Sequence, residues 1–144
     1  MSITAAAMSQ LLTLTQERNY YQMQQIYWSN EYTKKSAEAA QYAKVESKWE
    51  KYYDEALGNN KELKAPGVTV TADNNEAYMA EKYANAMVQE YDEETMIELS
   101  AEEVEYESMQ QLYDTLLEET NARIDSQKEL VSTNAKDTGL IGGS

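Results

Sequence analysis

Acidic side chains are the residues of this sequence whose type and spacing could do chemistry, and that chemistry would be cation binding. Residues 91–107 read YDEETMIELSAEEVEYE and include eight Asp and Glu. A di-iron helical bundle needs Glu-x-x-His pairs, and the chain has no His. A helix–loop–helix calcium site needs Gly at the sixth loop position, where the candidate loop from Asp73 (DNNEAY) has Tyr78. The acidic run therefore predicts at most weak surface binding of Ca²⁺ or Mg²⁺, and no resident metal.

The sequence lacks several of the residue types and motifs on which catalytic sites are usually built. The absence of Cys and His removes thiolate nucleophiles, imidazole bases and the usual ligands of zinc, copper and haem. The sequence also contains no phosphate-binding loop, no GxSxG elbow and no dinucleotide-binding fingerprint. We therefore expect a protein that is not an enzyme, with no catalytic residue and no cofactor.

The charge is concentrated in the second half of the chain. Residues 1–66 carry eight basic and eight acidic side chains, whereas residues 67–144 carry four against eighteen, which accounts for the net charge of −14. This balance argues against nucleic acid or an anionic membrane as a partner, because both are polyanions. It fits either a solvated face or a surface for a basic protein.

Targeting signals are not evident. No apolar run approaches the roughly 18 residues that span a bilayer, so we expect no membrane insertion. The N-terminal stretch MSITAAAMSQ lacks the basic and apolar regions of a signal peptide. We expect a soluble protein made in the cytoplasm, with export by a leaderless route or incorporation into a larger assembly left open.

The elements that position these residues are helices. With one Pro and five Gly, and abundant Ala, Glu, Gln and Lys, the sequence predicts an all-α fold. One helix is predicted over 4–57, a loop over 58–74 and a second helix over 75–131, which together form a single antiparallel hairpin or coiled coil. The capping-box pattern from Ser100 to Glu103 indicates a kink or helix restart near Ser100, or an ordinary exposed Ser in a continuous helix. A flexible tail is predicted over 132–144.

A stripe of residues at seven-residue spacing runs along the first helix from Leu14. This seven-residue stripe is typical of helices that wind around each other, and it consists of Leu14, Tyr21, Trp28, Lys35, Tyr42, Trp49 and Ala56. Both Trp of the chain fall in it, so we expect both to be largely buried. Small residues of the second helix, Ala80, Ala84 and Ala86, could admit the large rings.

The segment YYQMQQIYWSNEY at 20–32 has more rings than one neighbouring helix can cover. Core packing between the two helices explains some of them, and Tyr and Trp are also enriched at interfaces between chains. The candidate interface residues are Tyr20, Tyr21, Tyr27, Trp28, Tyr32, Tyr42 and Trp49.

The register of the hairpin follows from matching stripes. The second segment repeats Ala77, Ala84, Tyr91 and Glu98 at seven-residue spacing. Antiparallel pairing then sets Trp49 opposite Ala84, Tyr42 opposite Tyr91, and Lys35 opposite Glu98. We predict a Lys35–Glu98 ion pair that fixes register more than it stabilises the fold.

Two resemblances follow from these features. The segment from Ala6 to Thr15, with its LLTLT run, resembles the N-terminal stretch of small uncharacterised bacterial coiled-coil proteins, over about ten residues. A hairpin of this length is also similar to the WXG100 proteins of type VII secretion, although the turn here reads LGNN and has no Trp-x-Gly. Neither resemblance implies an enzymatic activity.

Two functional hypotheses remain. The first is a structural or assembly protein that self-associates into a homo-oligomer through an aromatic seam, formed by the rings of its seven-residue stripe. Such subunits are found in secretion apparatus, surface filaments or virions of bacteria and phages. The alternative is an acidic helical adaptor or chaperone that binds another helical or basic protein.

Overall fold

Three helices make up the part of the chain that the structure, a computed structural model, describes: residues 3–58 and 76–137. They are α1 (Ile3–Gly58), α2 (Glu76–Met87) and α3 (Glu93–Asp137). Only residues 88–92 of the described ranges lie outside a helix, and no strand occurs there. The all-α prediction is confirmed. The predicted loop beyond Gly58 and the end of the predicted tail lie outside the described residues.

The first helix matches its predicted bounds to within one residue at each end. Its length of 56 residues follows from the absence of Pro and Gly before Gly58, since those residues break helix interiors. The seven-residue stripe faces inward, because every member is buried or half-buried. The set three residues earlier, from Leu11 to Tyr53, shows the same burial.

The prediction of one continuous second helix is wrong, because the segment forms two helices, α2 and α3. The segment is interrupted at residues 88–92, whereas Ser100 lies inside α3, exposed and helical. The backbone N–H of Tyr91 donates to the carbonyl of Val88 at 3.3 Å in this turn. Asp92 then occupies the N-cap position of α3, because its carbonyl accepts the first helical hydrogen bond, from the Met96 N–H at 3.2 Å. Its carboxylate accepts from the Thr95 hydroxyl at 2.9 Å, and acids follow in the first turn.

The chain divides into two compact units, residues 1–32 with 105–144 and residues 33–104. In the first unit, α1 and α3 pack antiparallel. The Tyr21 and Tyr113 rings lie 6.1 Å apart, those of Trp28 and Tyr106 lie 5.4 Å apart, and the Gln127 amide donates to the Ala7 carbonyl at 2.9 Å. Helix α3 continues to Asp137, six residues beyond the predicted end at 131.

In the unit of residues 33–104, α2 packs on the end of α1. Ala56, Ala80 and Tyr83 form its buried cluster, and the half-buried rings of Tyr52 and Tyr53 lie against it. Ala80 is fully buried, which confirms the expectation that small residues of the second segment admit large rings of the first.

Large side chains are seldom covered within this fold. Val88 is the largest side chain among the described residues to be fully buried, and most of the remaining core is Ala. Exposed large hydrophobic side chains are correspondingly numerous. No helix in the described ranges is both long and apolar enough to cross a membrane.

Candidate interaction sites

A stack of aromatic rings occupies the seam where α1 meets the turn at residues 88–92. The Tyr42 ring stacks on Tyr91 with centroids 6.0 Å apart, Trp49 lies 5.2 Å from Tyr91, and Tyr53 stacks on Trp49 at 5.1 Å. The predicted opposition of Tyr42 and Tyr91 is therefore confirmed. The Trp49 indole N–H donates to the Asn85 side-chain carbonyl at 2.8 Å, one residue beyond the predicted neighbour Ala84.

The rings of Tyr21 and Trp28 are also used inside the chain, against Tyr113 and Tyr106. Both Trp28 and Trp49 are half-buried, so the expectation that they are largely buried was too strong for the chain by itself. The Trp28 indole N–H is buried and finds no acceptor among the described residues. Tyr32 is half-buried too.

The predicted ion pair of Lys35 with Glu98 is wrong by one helical turn. The Lys35 ammonium lies 2.7 Å from a Glu102 carboxylate oxygen and 3.2 Å from Glu38, and Glu98 is exposed. Hydrogen bonding to Glu102 first, and then to Glu38, raises the pKa of Lys35 above its ordinary value. The prediction failed because it carried the stripe of the second segment through Tyr91, which is not helical.

The actual inward stripe of α3 lies one residue later. It is seven-residue spaced and buried or half-buried at each position: Leu99, Tyr106, Tyr113, Thr120 and Gln127. This stripe was readable in the sequence, but only if α3 is taken as a separate helix with its own phase.

Tyr20 and Tyr27, the remaining candidates, are 53% and 52% exposed, although Tyr20 also lies within hydrogen-bonding reach of Tyr113 on α3. They belong to a set that we call the outer face of α1, formed by exposed large hydrophobic residues: Met8, Leu12, Tyr20, Met23, Ile26 and Tyr27. At 3.6 residues per turn, the set falls within an arc of about 120° on the side opposite Tyr21 and Trp28. Met23, at 70%, is the most exposed of them.

A second feature is a cavity in the unit of residues 33–104, which we call the acidic cavity. Its volume is about 680 Å³, and it is lined by three rings, one amide and six carboxylates: Trp49, Tyr53, Tyr91, Asn85, Glu46, Glu50, Glu81, Asp92, Glu93 and Glu94. Two of these carboxylates have partners inside the chain, since Glu46 accepts from the Tyr91 hydroxyl at 3.3 Å and Asp92 accepts from Thr95.

The environment of Tyr91 reflects this wall of rings and acids. Burial, and then the negative charge of Glu46, raise the pKa of Tyr91 to about 12, because both disfavour the phenolate. Tyr91 therefore stays neutral and keeps donating its hydroxyl proton to Glu46. Sequence reasoning placed Tyr91 in the stripe but did not find the cavity, whose walls come from α1, α2, the turn and the start of α3 together.

In the described part of the chain, no group of three or more Asp or Glu side chains is arranged so that it could hold a metal ion. Comparison with known proteins adds nothing to the geometry: no family model, no curated protein sequence and no solved structure matches this chain.

Proposed function

We propose that this protein is a non-enzymatic assembly protein that self-associates through the outer face of α1, with a second copy of the chain as the occupant. The single observation that carries the proposal is the row of exposed apolar side chains on the side of α1 that α3 leaves uncovered. Exposed apolar surface of this extent and continuity marks interaction sites.

The thin core supports the same conclusion. Two packed helices bury little apolar surface, and association between chains supplies additional burial. Here half of the ten buried hydrophobic residues are Ala, and Val88 is the largest fully buried side chain of the described residues. Covering Leu12, Met23 and Ile26 in an oligomer would add three large side chains to a core that has few of them.

Charge favours a second copy as the partner. Residues 1–32 contain one Arg and two Glu, a net charge of −1 against −14 for the whole chain. Two copies of a strongly acidic protein repel each other over most of their surface. The outer face lies on a nearly neutral segment, where that repulsion is weak, so like chains can meet there.

The test measures the oligomeric state by sedimentation velocity over a dilution series from about 1 to 100 µM, a range that spans modest affinities. The triple variant Leu12→Gln, Met23→Gln and Ile26→Gln removes the apolar contacts and keeps good helix formers. We expect the native chain to form oligomers and the triple variant to be monomeric, with unchanged helical circular dichroism.

The matched control is the triple variant Ile97→Gln, Val104→Gln and Leu130→Gln, which changes side chains that are also exposed but lie on α3. It should assemble as the native chain does. A native chain that is monomeric throughout the dilution series, or a control that dissociates equally, would refute assembly through α1.

An acidic adaptor that binds a basic protein is the second candidate, favoured by the excess of fourteen acidic over basic side chains in residues 67–144. The same sedimentation series separates the two candidates. An adaptor would stay monomeric or dimeric by itself and sediment faster only when a basic protein is added.

A further inference from the structure

The acidic cavity combines three properties that seldom occur together by chance on a solvated surface: concavity, an aromatic wall and one sign of charge. Its volume of about 680 Å³ lies in the range of small-molecule sites, roughly 300–1,000 Å³. Among the residues that the structure describes, no Lys or Arg lines it. An acidic surface without the rings would need no explanation beyond solubility, whereas an aromatic wall within a concave acidic site offers a ligand both charge and apolar contact.

Four of the lining carboxylates remain available to a ligand. Glu50, Glu81, Glu93 and Glu94 are all exposed, and none forms an ion pair with a Lys or Arg of the described ranges. Since α1, α2 and α3 each contribute at least one of them, the negative charges surround the cavity. A ligand with several positive charges could satisfy them simultaneously.

The rings define the second requirement. Tyr53, Trp49 and Tyr91 form one continuous stack along the wall, and hydrogen bonds from Trp49 to Asn85 and from Tyr91 to Glu46 hold two of the rings in place. Such a wall offers apolar contact to methylene groups, and ring faces attract organic cations. Inorganic cations carry no methylene groups and keep their water, so they gain little from it.

We propose that the acidic cavity binds a linear polyamine, whose ammonium groups pair with the four carboxylates and whose methylene spacers lie against the aromatic wall. This site is separate from the outer face of α1 and does not depend on self-association. A polyamine satisfies both requirements at once and is small enough for a cavity of this size, whereas a peptide would need an extended groove.

The test is a calorimetric titration of the full chain with spermine, a linear tetraamine, near neutral pH and about 100 mM salt to screen distant charges. The site variant carries four Glu→Gln changes, at Glu50, Glu81, Glu93 and Glu94. The control variant has the same net charge and carries four Glu→Gln changes at exposed positions of α3 outside the cavity: Glu107, Glu118, Glu119 and Glu129.

We expect the site variant to bind spermine about tenfold more weakly than the native chain, since four screened ion pairs together are worth roughly that factor. The control variant should stay within about twofold of the native affinity, because its changes act only through screened long-range charge. Tyr53→Leu should weaken binding about threefold by removing one ring of the wall.

Three results would overturn the proposal. Equal losses in the site and control variants would mean that spermine responds only to net charge. Mg²⁺ and a second polyamine, compared at the same ionic strength, should displace spermine to different extents. If they displaced it equally, the aromatic wall would contribute nothing. Tighter binding of a tetra-arginine peptide than of spermine, lost in the site variant, would assign the cavity to basic peptides instead.

Discussion

The hydroxyl of Tyr42 is the group through which α1 holds the turn that separates α2 from α3. It accepts a hydrogen bond from the backbone N–H of Asp92. Its own proton can be donated to the carbonyl of Asp92 at 3.0 Å or to that of Glu90 at 3.3 Å. Because Asp92 is also the N-cap of α3, we expect Tyr42→Phe to weaken the start of that helix as well as the turn.

The size of the effect follows from what Phe keeps and what it removes. The ring and its stacking on Tyr91 remain, while one accepted and one donated hydrogen bond are lost. Each is worth about 0.5–1.5 kcal/mol, and water can replace part of it at this partly exposed position. We therefore expect a loss of about 1–2 kcal/mol, which at a urea m-value of roughly 2 kcal/mol/M lowers the unfolding midpoint by about 0.5–1 M.

Urea unfolding followed by circular dichroism measures this loss, with Tyr27→Phe as the control. Tyr27 is also on α1, but it is exposed and its ring contacts Trp28, and among the described residues its hydroxyl forms no hydrogen bond. Amide hydrogen exchange gives a local check, because the Asp92 N–H should exchange faster in Tyr42→Phe alone. Equal midpoints for the two variants, with unchanged Asp92 exchange, would refute the role assigned to Tyr42.

Other consequences of the fold can be measured directly. A double-mutant cycle on stability should show coupling of Lys35 with Glu102 and none with Glu98, and the reverse result would restore the register predicted from sequence. The raised pKa of Tyr91, about 12, means that its contribution to stability is complete below about pH 10, the ordinary tyrosine value, and is lost as the pH rises toward 12. Tyrosinate absorbance of the native chain minus Tyr91→Phe should therefore rise late in the alkaline titration, and a rise at the ordinary value would contradict the burial of Tyr91. Val88→Ala should lower the free energy of unfolding, measured with urea, by about 1–3 kcal/mol, because it removes two methyl groups from a fully buried side chain. A loss below about 0.5 kcal/mol would mean that the turn repacks freely.

Fold class and the first helix were predictable because the relevant signals are local. A run of 55 residues without Pro or Gly specifies α1 whatever it packs against, and Gly58 marks its end. The seven-residue stripe is equally local, since burial along one helix depends on position around its axis. The structure accordingly has Tyr42, Trp49 and their stripe partners in the seam.

The break at residues 88–92 was missed because its signals are weak and competing ones are stronger. The turn contains neither Pro nor Gly. The capping pattern at Ser100 is a stronger signal, but it indicates a helix start at the wrong position. Asp92 followed by two Glu is itself an N-terminal signature, but it lies within a longer acidic run that hides it. What stabilises the break is tertiary, namely the Tyr42 hydroxyl reaching Asp92 from a residue 50 positions away in the chain.

The aromatic segment at 20–32 carries rings on two sides of α1. Tyr21 and Trp28 are seven residues apart and meet α3, whereas Tyr20 and Tyr27 have the same spacing but are displaced by one position, about 100° around the helix axis. That displacement leaves both rings about half-exposed at one edge of the outer face that includes Met23, although Tyr20 still reaches Tyr113. A helix that needed only α3 would have gained solubility from polar residues at those positions. Rings on both sides are expected if a second surface covers the outer one, as the proposed self-association requires, and the near-neutral charge of residues 1–32 favours another copy of this acidic chain as that surface.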